Sequence, residues 1–141
     1  MIGVVVDTNV VVSAALSESG FPASILDLVA NGRITMFVSA EVLEEYDEVL
    51  RRPRLKLSAA RIEKAVELIR STSRIVWPKR KLELALDPDD NLFYECAYAA
   101  KADFLITGNT KHFPLGHECT EIVTPRQNNE RLGPILFKAN R

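Results

Sequence analysis

Cysteine, tryptophan and glycine are scarce in this chain of 141 residues, which holds 2, 1 and 6 of them. The two cysteines, Cys96 and Cys119, are too few for a disulfide framework, and Cys96 lies in an alanine-rich helical stretch where a thiol acts as a small hydrophobe. The expected compartment is the reducing cytoplasm. No apolar run approaches the ~18 residues that a membrane span needs. The opening Met-Ile-Gly-Val-Val-Val-Asp has no basic segment and runs straight into a carboxylate, so a secretory signal is not expected either. Charge of one sign is also missing: 18 Lys+Arg stand against 19 Asp+Glu, a net charge of −1. Without a global basic field, a nucleic-acid partner must be held by a local patch or through metal ions. There is no Walker lysine loop, no dinucleotide glycine fingerprint and no nucleophile elbow.

What is present is a chain of average make-up, 47% hydrophobic and 26% charged, which excludes disordered and collagen-like classes. Residues 2–6 form an apolar run without alternation, the pattern of a strand buried on both faces, ending at Asp7-Thr8-Asn9. Val10–Leu16 and Ala23–Ala30 read as helices, with Pro22 at a start and Asn31-Gly32 at a stop. Thr35–Val38 is a second strand, and Ser39 caps a helix over Ala40–Arg51 that stops before Pro53. Ser58 opens a helix through Arg70, and Arg74–Val76 is a third strand. Asp87-Pro88 starts a helix over Asp89–Ala102, followed by strands Asp103–Thr107 and Glu121–Thr124. The tail from Pro125, with Gln127-Asn128-Asn129, is weakly patterned and expected to be loosely held. Strands alternating with helices, with no Pro/Gly/Ser linker, predict one α/β domain over residues 1–141, with a core of about 2–125 and a tail of 126–141. The expected architecture is three layers, α/β/α, around a mostly parallel sheet of four to five strands.

In open parallel sheets ligands bind beyond the carboxyl ends of the strands. Two strands end in polar residues there, at Asp7-Thr8-Asn9 and at Thr107-Gly108-Asn109. Taken singly each is an ordinary strand exit, since Asp and Asn favour turns; taken together they mark a site. Asp87-Pro88-Asp89-Asp90 reads first as a helix cap with acids facing the helix dipole. Phase adds that Asp90, one turn before the buried Phe93, points toward the sheet, where a carboxylate needs a partner and a cation would serve. The acidic helix Glu41–Leu50 carries a solvated face with Glu44 and Glu48, while Glu45 and Asp47 border its apolar stripe on opposite edges. Phase does not choose between those two. Carboxylates gathered at a sheet edge suit a hard divalent ion such as Mg²⁺ or Mn²⁺, and hence metal-assisted phosphodiester hydrolysis.

This constellation resembles the PIN domain, a family of small metal-dependent ribonucleases, over about Ile2 to Pro125. The marks are Val-Val-Val-Asp7-Thr8-Asn9, the helix from Ser39 through Glu45 with Arg-Arg-Pro-Arg after it, Asp87-Pro-Asp-Asp90-Asn-Leu-Phe, and Ala102-Asp-Phe-Leu-Ile-Thr107-Gly-Asn109. The nearest likeness is to the branch of toxin components of toxin–antitoxin systems, related to VapC toxins. The resemblance implies that Asp7, Glu45 and Asp90 hold Mg²⁺ or Mn²⁺ and activate a water, with Thr8 and Thr107 supporting the site. It thereby selects Glu45 over Asp47 and Asp90 over Asp89. The fourth acid usual in the family is here Asn109, which can assist but brings no charge, so one tightly held ion is favoured over two. An RNA substrate, a small antitoxin partner and a homodimer are implied likewise, with Val10–Leu16, Ala23–Ala30 and Val42–Leu50 as candidate antitoxin surfaces.

Other chemistries fit less well. His112, His117 and Cys119 match no usual zinc spacing and lack a fourth ligand. A phosphoryl-accepting Asp7, as in haloacid-dehalogenase-like phosphatases, would need a second acid where Asn9 stands. Lys111-His112 reads as a loop pair near the phosphate path. Basic runs at Arg51-Arg52-Pro-Arg54-Leu-Lys56 and Lys79-Arg80-Lys81 are solvated surface by default and phosphate-steering patches in the functional reading. Trp77 beside the second run is expected in the core, with base stacking as the other reading. The competing function is a non-catalytic PIN-fold module that binds RNA or a protein.

Overall fold

Val4, Val5 and Val6 are each fully buried although successive strand side chains point to opposite faces, so their strand must be covered on both sides. The computed structural model describes residues 1–139, with side chains to Pro134. Its order is β1 (Gly3–Val6), α1 (Thr8–Leu16), α2 (Phe21–Ala30), β2 (Thr35–Val38), α3 (Ala40–Leu50), α4 (Ala59–Thr72), β3 (Arg74–Ile75), α5 (Asn91–Ala100), β4 (Phe104–Ile106), β5 (Glu121–Val123) and α6 (Pro125–Ala139). The five strands form one parallel sheet in the order β3-β2-β1-β4-β5, flanked by the six helices in three layers, α/β/α.

The register pairs Val4 with Met36 on one side and with Phe104 on the other. The chain steps outward from β1 to β2 to β3, then crosses back to lay β4 on the opposite side of β1. That reversal makes the carboxyl ends of β1 and β4 the topological switch point, where a parallel sheet leaves a crevice. Gly3 is required by packing: a Cβ there would lie 2.6 Å from the Phe37 ring on β2. No helix among the described residues is long and apolar enough to cross a membrane.

Caps set the helix starts as expected in α3, where Ser39 Oγ accepts from the Val42 N–H at 3.1 Å, and in α4, where Ser58 Oγ accepts from Arg61 at 3.2 Å. Two expectations need correction. The stretch over Asp89–Ala102 is a 3₁₀ turn, Pro88–Asp90, followed by the shorter α5, which closes at Lys101 in a left-handed conformation with φ 53°. The tail is not weakly patterned, for it forms α6, which packs on β4, β5 and α2 and buries Leu132 and Asn128. Its start is a capping box: Thr124 Oγ1 accepts from the Gln127 N–H at 3.1 Å, and Gln127 Oε1 accepts from the Thr124 N–H at 2.9 Å. Asn140 and Arg141 of that tail lie outside the described residues.

The apolar stripes of α1, α2 and α3 are spent on this core. Val10, Val11, Ile25, Val42 and Tyr46 are buried there and offer nothing to a partner, whereas Leu16 is 46% exposed and Ala14, Ala15, Ala23 and Leu26 line an open groove between α1, α2 and α4.

Candidate metal and active site

β1 delivers Asp7 to the switch point, and Asp7 also serves as the N-cap of α1, accepting from the Thr8 N–H at 2.8 Å through Oδ1. Its other oxygen, Oδ2, accepts from the Thr107 hydroxyl of the β4 exit at 2.8 Å. Burial is the main cause that raises the Asp7 carboxyl above its usual range; those two hydrogen bonds and the charge of His112 oppose it, and the charge of Glu45 adds to it. Thr8 turns its hydroxyl to α3 and donates to Glu45 Oε2 at 3.1 Å. The acids that bordered the stripe of α3 thus separate. Glu45 reaches the strand end, whereas Asp47 pairs with Arg51 at 3.0 Å on the surface.

Tyr46, the next residue, explains why α3 can place Glu45 there. Its buried hydroxyl donates to the carbonyl of Val6, tying the helix to the end of β1 just before Asp7. Asp90 enters from the start of α5, with its side chain 19% exposed, while Asp89 is exposed. Burial first, then the charges of Asp7, Asp87 and Glu45, push the Asp90 carboxyl up to about 6, against the pull of His112. His112 Nδ1 lies 3.6 Å from Asp90 Oδ2. Asn91, which follows, accepts from the Leu84 and Ala85 N–H groups at 2.9 and 2.8 Å and so straps the preceding segment to α5.

Asn109 stands at the edge of this group. Its N–H donates to Thr107 Oγ1 at 3.1 Å, and its side-chain oxygen accepts from the Lys111 N–H at 3.2 Å, capping the turn Thr110–His112. Position 109 therefore touches Asp7 only through the Thr107 hydroxyl. Asn9 adds a second tie that the sequence did not reveal, accepting from the Gly108 N–H at 3.0 Å and joining the first turn of α1 to the β4 exit. The signal for Tyr46 and Asn9 was present only as a polar tip on an apolar stripe and a third polar residue after the strand.

The donor set is oxygen-rich and short of positive charge. Asp7, Glu45 and Asp90 act on one another through space, and among the described residues none of them pairs with a lysine or arginine. A hard divalent cation would relieve that repulsion, and these oxygens fit one. Among the described residues no three acidic, histidine or cysteine side chains close into a ready-made cage.

Elsewhere the sequence candidates disperse. His112 is beside Asp90, whereas the His117 ring packs on Tyr98 with centroids 5.3 Å apart. Arg51 pairs with Asp47 and Glu63 and Arg52 with Glu48, so half of that basic run's four cations are occupied. Trp77, expected in the core, is 72% exposed.

A family model described as PIN domain matches residues 3–111, the stretch that carries every acid of the site. The uncharacterized protein MJ1680 of Methanocaldococcus jannaschii is 36% identical over 138 residues, covering 89% of this chain and 88% of that protein. Among solved structures, a chain in the VapBC2 complex of Rickettsia felis, bound to a DNA fragment from its promoter, superposes with a TM-score of 0.60. That match covers 86% of this chain and 98% of the other at 20% identity, a likeness of fold. The family model spans most of the chain and includes Asp7, Glu45 and Asp90, and by it the chain belongs to the PIN-domain family.

Proposed function

We propose that this protein is a divalent-metal-dependent ribonuclease that hydrolyses RNA phosphodiester bonds and serves as the toxin of a toxin–antitoxin pair. The observation that carries the reading is the gathering of Asp7, Glu45 and Asp90 at the switch point with no cationic side chain paired to Asp7 or Glu45 among the described residues. Asp7, Glu45 and Asp90 are the residues that would hold Mg²⁺ or Mn²⁺, with Asn109 assisting from the edge. When bound, such an ion lowers the pKa of a water and neutralises charge on the departing oxygen. The chain's own part is positional. The Thr107 hydroxyl and the Thr8 N–H fix both oxygens of Asp7, and the Thr8 hydroxyl fixes Glu45, so the carboxylates are oriented before substrate arrives. His112, half exposed beside Asp90, is the cationic group nearest the carboxylates that could meet a phosphate.

The likeness to a VapBC2 chain supports a small antitoxin as partner, and we extend the reading to a homodimer. Cytoplasmic residence agrees with the two free thiols, Cys96 and Cys119. A second reading, a non-catalytic RNA- or protein-binding module, is favoured by one observation: the Asn109 side-chain oxygen is spent on its own turn, leaving three acids.

The deciding experiment is cleavage of a mixed RNA pool with Mg²⁺, Mn²⁺ or EDTA, run beside Asp7→Asn and Asp90→Asn. Metal-dependent cleavage that both substitutions abolish is the expected result. A folded wild-type chain that neither cleaves nor binds Mn²⁺ would refute the enzyme and leave the binding module.

A further inference from the structure

A cleft of about 500 Å³ opens near the far end of α5 from the carboxylates, lined in part by Trp77, Lys79, Arg80, Tyr98 and Lys101. From Asp90 to Tyr98 the helix rises about 12 Å at about 1.5 Å per residue, so the cleft is separate from the site above. Trp77, the single tryptophan of the chain, leaves 72% of its surface bare at the rim. An indole so exposed offers a flat face to stack on. Arg80 is held in place: its guanidinium carbon is 5.2 Å from the Tyr98 ring centroid, and Nη1 donates to the Tyr98 hydroxyl at 2.9 Å. Tyr98 is backed in turn by the His117 ring. The remaining N–H donors of Arg80 have no partner among the described residues, nor do the ammonium groups of Lys79 and Lys101. Two acids also line the cleft. Glu95 is occupied, accepting from the Leu82 N–H at 3.0 Å with Lys81 at 3.9 Å, which leaves Glu118 against three cations.

An oriented arginine, two lysines and a bare indole on one cleft match the chemistry of a nucleic-acid strand, with anionic phosphates on one edge and π-faced bases on the other. We infer that this cleft is a subsite for single-stranded nucleic acid, in which Trp77 stacks a base while Arg80, Lys79 and Lys101 take phosphates. It rests on the ribonuclease reading only in naming that strand as the RNA flanking the cleaved bond. The distance along α5 corresponds to roughly three or four stacked nucleotides at about 3.4 Å each. An acidic protein segment is the rival occupant, and it lacks any use for the indole face.

The test uses the full chain in EDTA, where fluorescence excited beyond the tyrosine absorption band reports on Trp77 alone. A ten-nucleotide single-stranded RNA, a DNA of the same sequence and a polyglutamate peptide are titrated separately. Saturable quenching by RNA, or by RNA and DNA alike, is expected, with no response to polyglutamate. Arg80→Gln should weaken RNA binding and reduce the slope of log affinity against log salt by about 0.7, the share of one phosphate contact on a single strand. Trp77→Ala, followed by anisotropy of a labelled RNA, should weaken binding by roughly tenfold while thermal unfolding stays unchanged. RNA binding without quenching, binding indifferent to Trp77→Ala, or no nucleic-acid binding at all would overturn the inference. Quenching by polyglutamate in place of nucleic acid would overturn it in favour of a protein partner. The two proposals fail separately: a chain that is quenched by RNA but never cleaves it loses only the nuclease reading, and one that cleaves without quenching loses only the cleft.

Discussion

Replacing Asp90 by asparagine should stabilise the metal-free protein while destroying its response to divalent ions. The Asp90 carboxyl is pushed up from its ordinary 3.8 to about 6 in the folded chain, because it is partly buried beside Asp7, Asp87 and Glu45. Between those values the folded chain binds more protons than the unfolded one, so stability falls as pH rises from about 4 to about 6 and levels off above. At 1.36 kcal/mol per pH unit the gap corresponds to about 3 kcal/mol. Solvent reaches part of the side chain, and loss of an acid at the start of α5 costs on the order of 0.5 kcal/mol. A net gain of about 1–2 kcal/mol at pH 7.5 is therefore expected for Asp90→Asn, or roughly 3–8 °C in a chain of this size. The assay is thermal unfolding in EDTA at pH 4.5 and 7.5, repeated with Mn²⁺. Wild type should lose stability between the two pH values and regain it with Mn²⁺, since a ligand that binds only the folded state stabilises it. Asp90→Asn should show a weaker pH response and no gain from the metal. A lower melting temperature for Asp90→Asn in EDTA at pH 7.5 would refute the argument that these carboxylates repel one another.

Tyr46→Phe removes the buried hydrogen bond to the Val6 carbonyl and should cost about 1–2 kcal/mol in denaturant unfolding. Asn128 is fully buried in α6 with neither Oδ1 nor Nδ2 bonded among the described residues, so Asn128→Leu should raise stability by about 1–2 kcal/mol in the same assay. Asn109→Asp keeps an oxygen for the Lys111 N–H and adds a charge at the edge of the site. A unit charge within about 7 Å of a divalent ion in a water-like medium is worth on the order of 1 kcal/mol, so calorimetric Mn²⁺ affinity should rise about fivefold; an unchanged affinity would place position 109 outside the ion's reach.

Most of the sheet was legible because burial on both faces leaves a plain trace, as in Val4-Val5-Val6, and because serine caps announce α3 and α4. The start of α6 was equally written in the chain, as Thr124-Pro125-Arg126-Gln127, but the run Gln127-Asn128-Asn129 masked it. Asparagine argues against a helix only by weak propensity, and a capping box with tertiary packing overrides it. The strand-exit residues Asp7, Thr8 and Thr107 could be located from sequence because β1 and β4 both end in polar residues. The choice of Glu45 over Asp47 could not be made from phase, since both border the same stripe. It depends on which edge of α3 faces the β1 exit, and the buried Tyr46 hydroxyl fixes that. Trp77 was misjudged for a related reason: composition favours burying a lone indole, and nothing local records that the strand beside it is two residues long with both exposed.

The partners of the site carboxylates carry a further implication. A buried acid is usually satisfied by an arginine or lysine, which would lower its pKa and add stability. Here the close partners of Asp7 and Glu45 are hydroxyls and a backbone N–H, groups that orient a carboxylate without cancelling its charge. The arginines of the neighbouring surface are engaged elsewhere, Arg51 with Asp47 and Glu63 and Arg52 with Glu48. The fold thus holds negative charge at its switch point at a cost in stability. A resident lysine would remove that cost permanently, whereas an exchangeable ion removes it only when bound. Under the metal-dependent reading proposed above, that uncancelled charge is what a cation meeting the substrate would use.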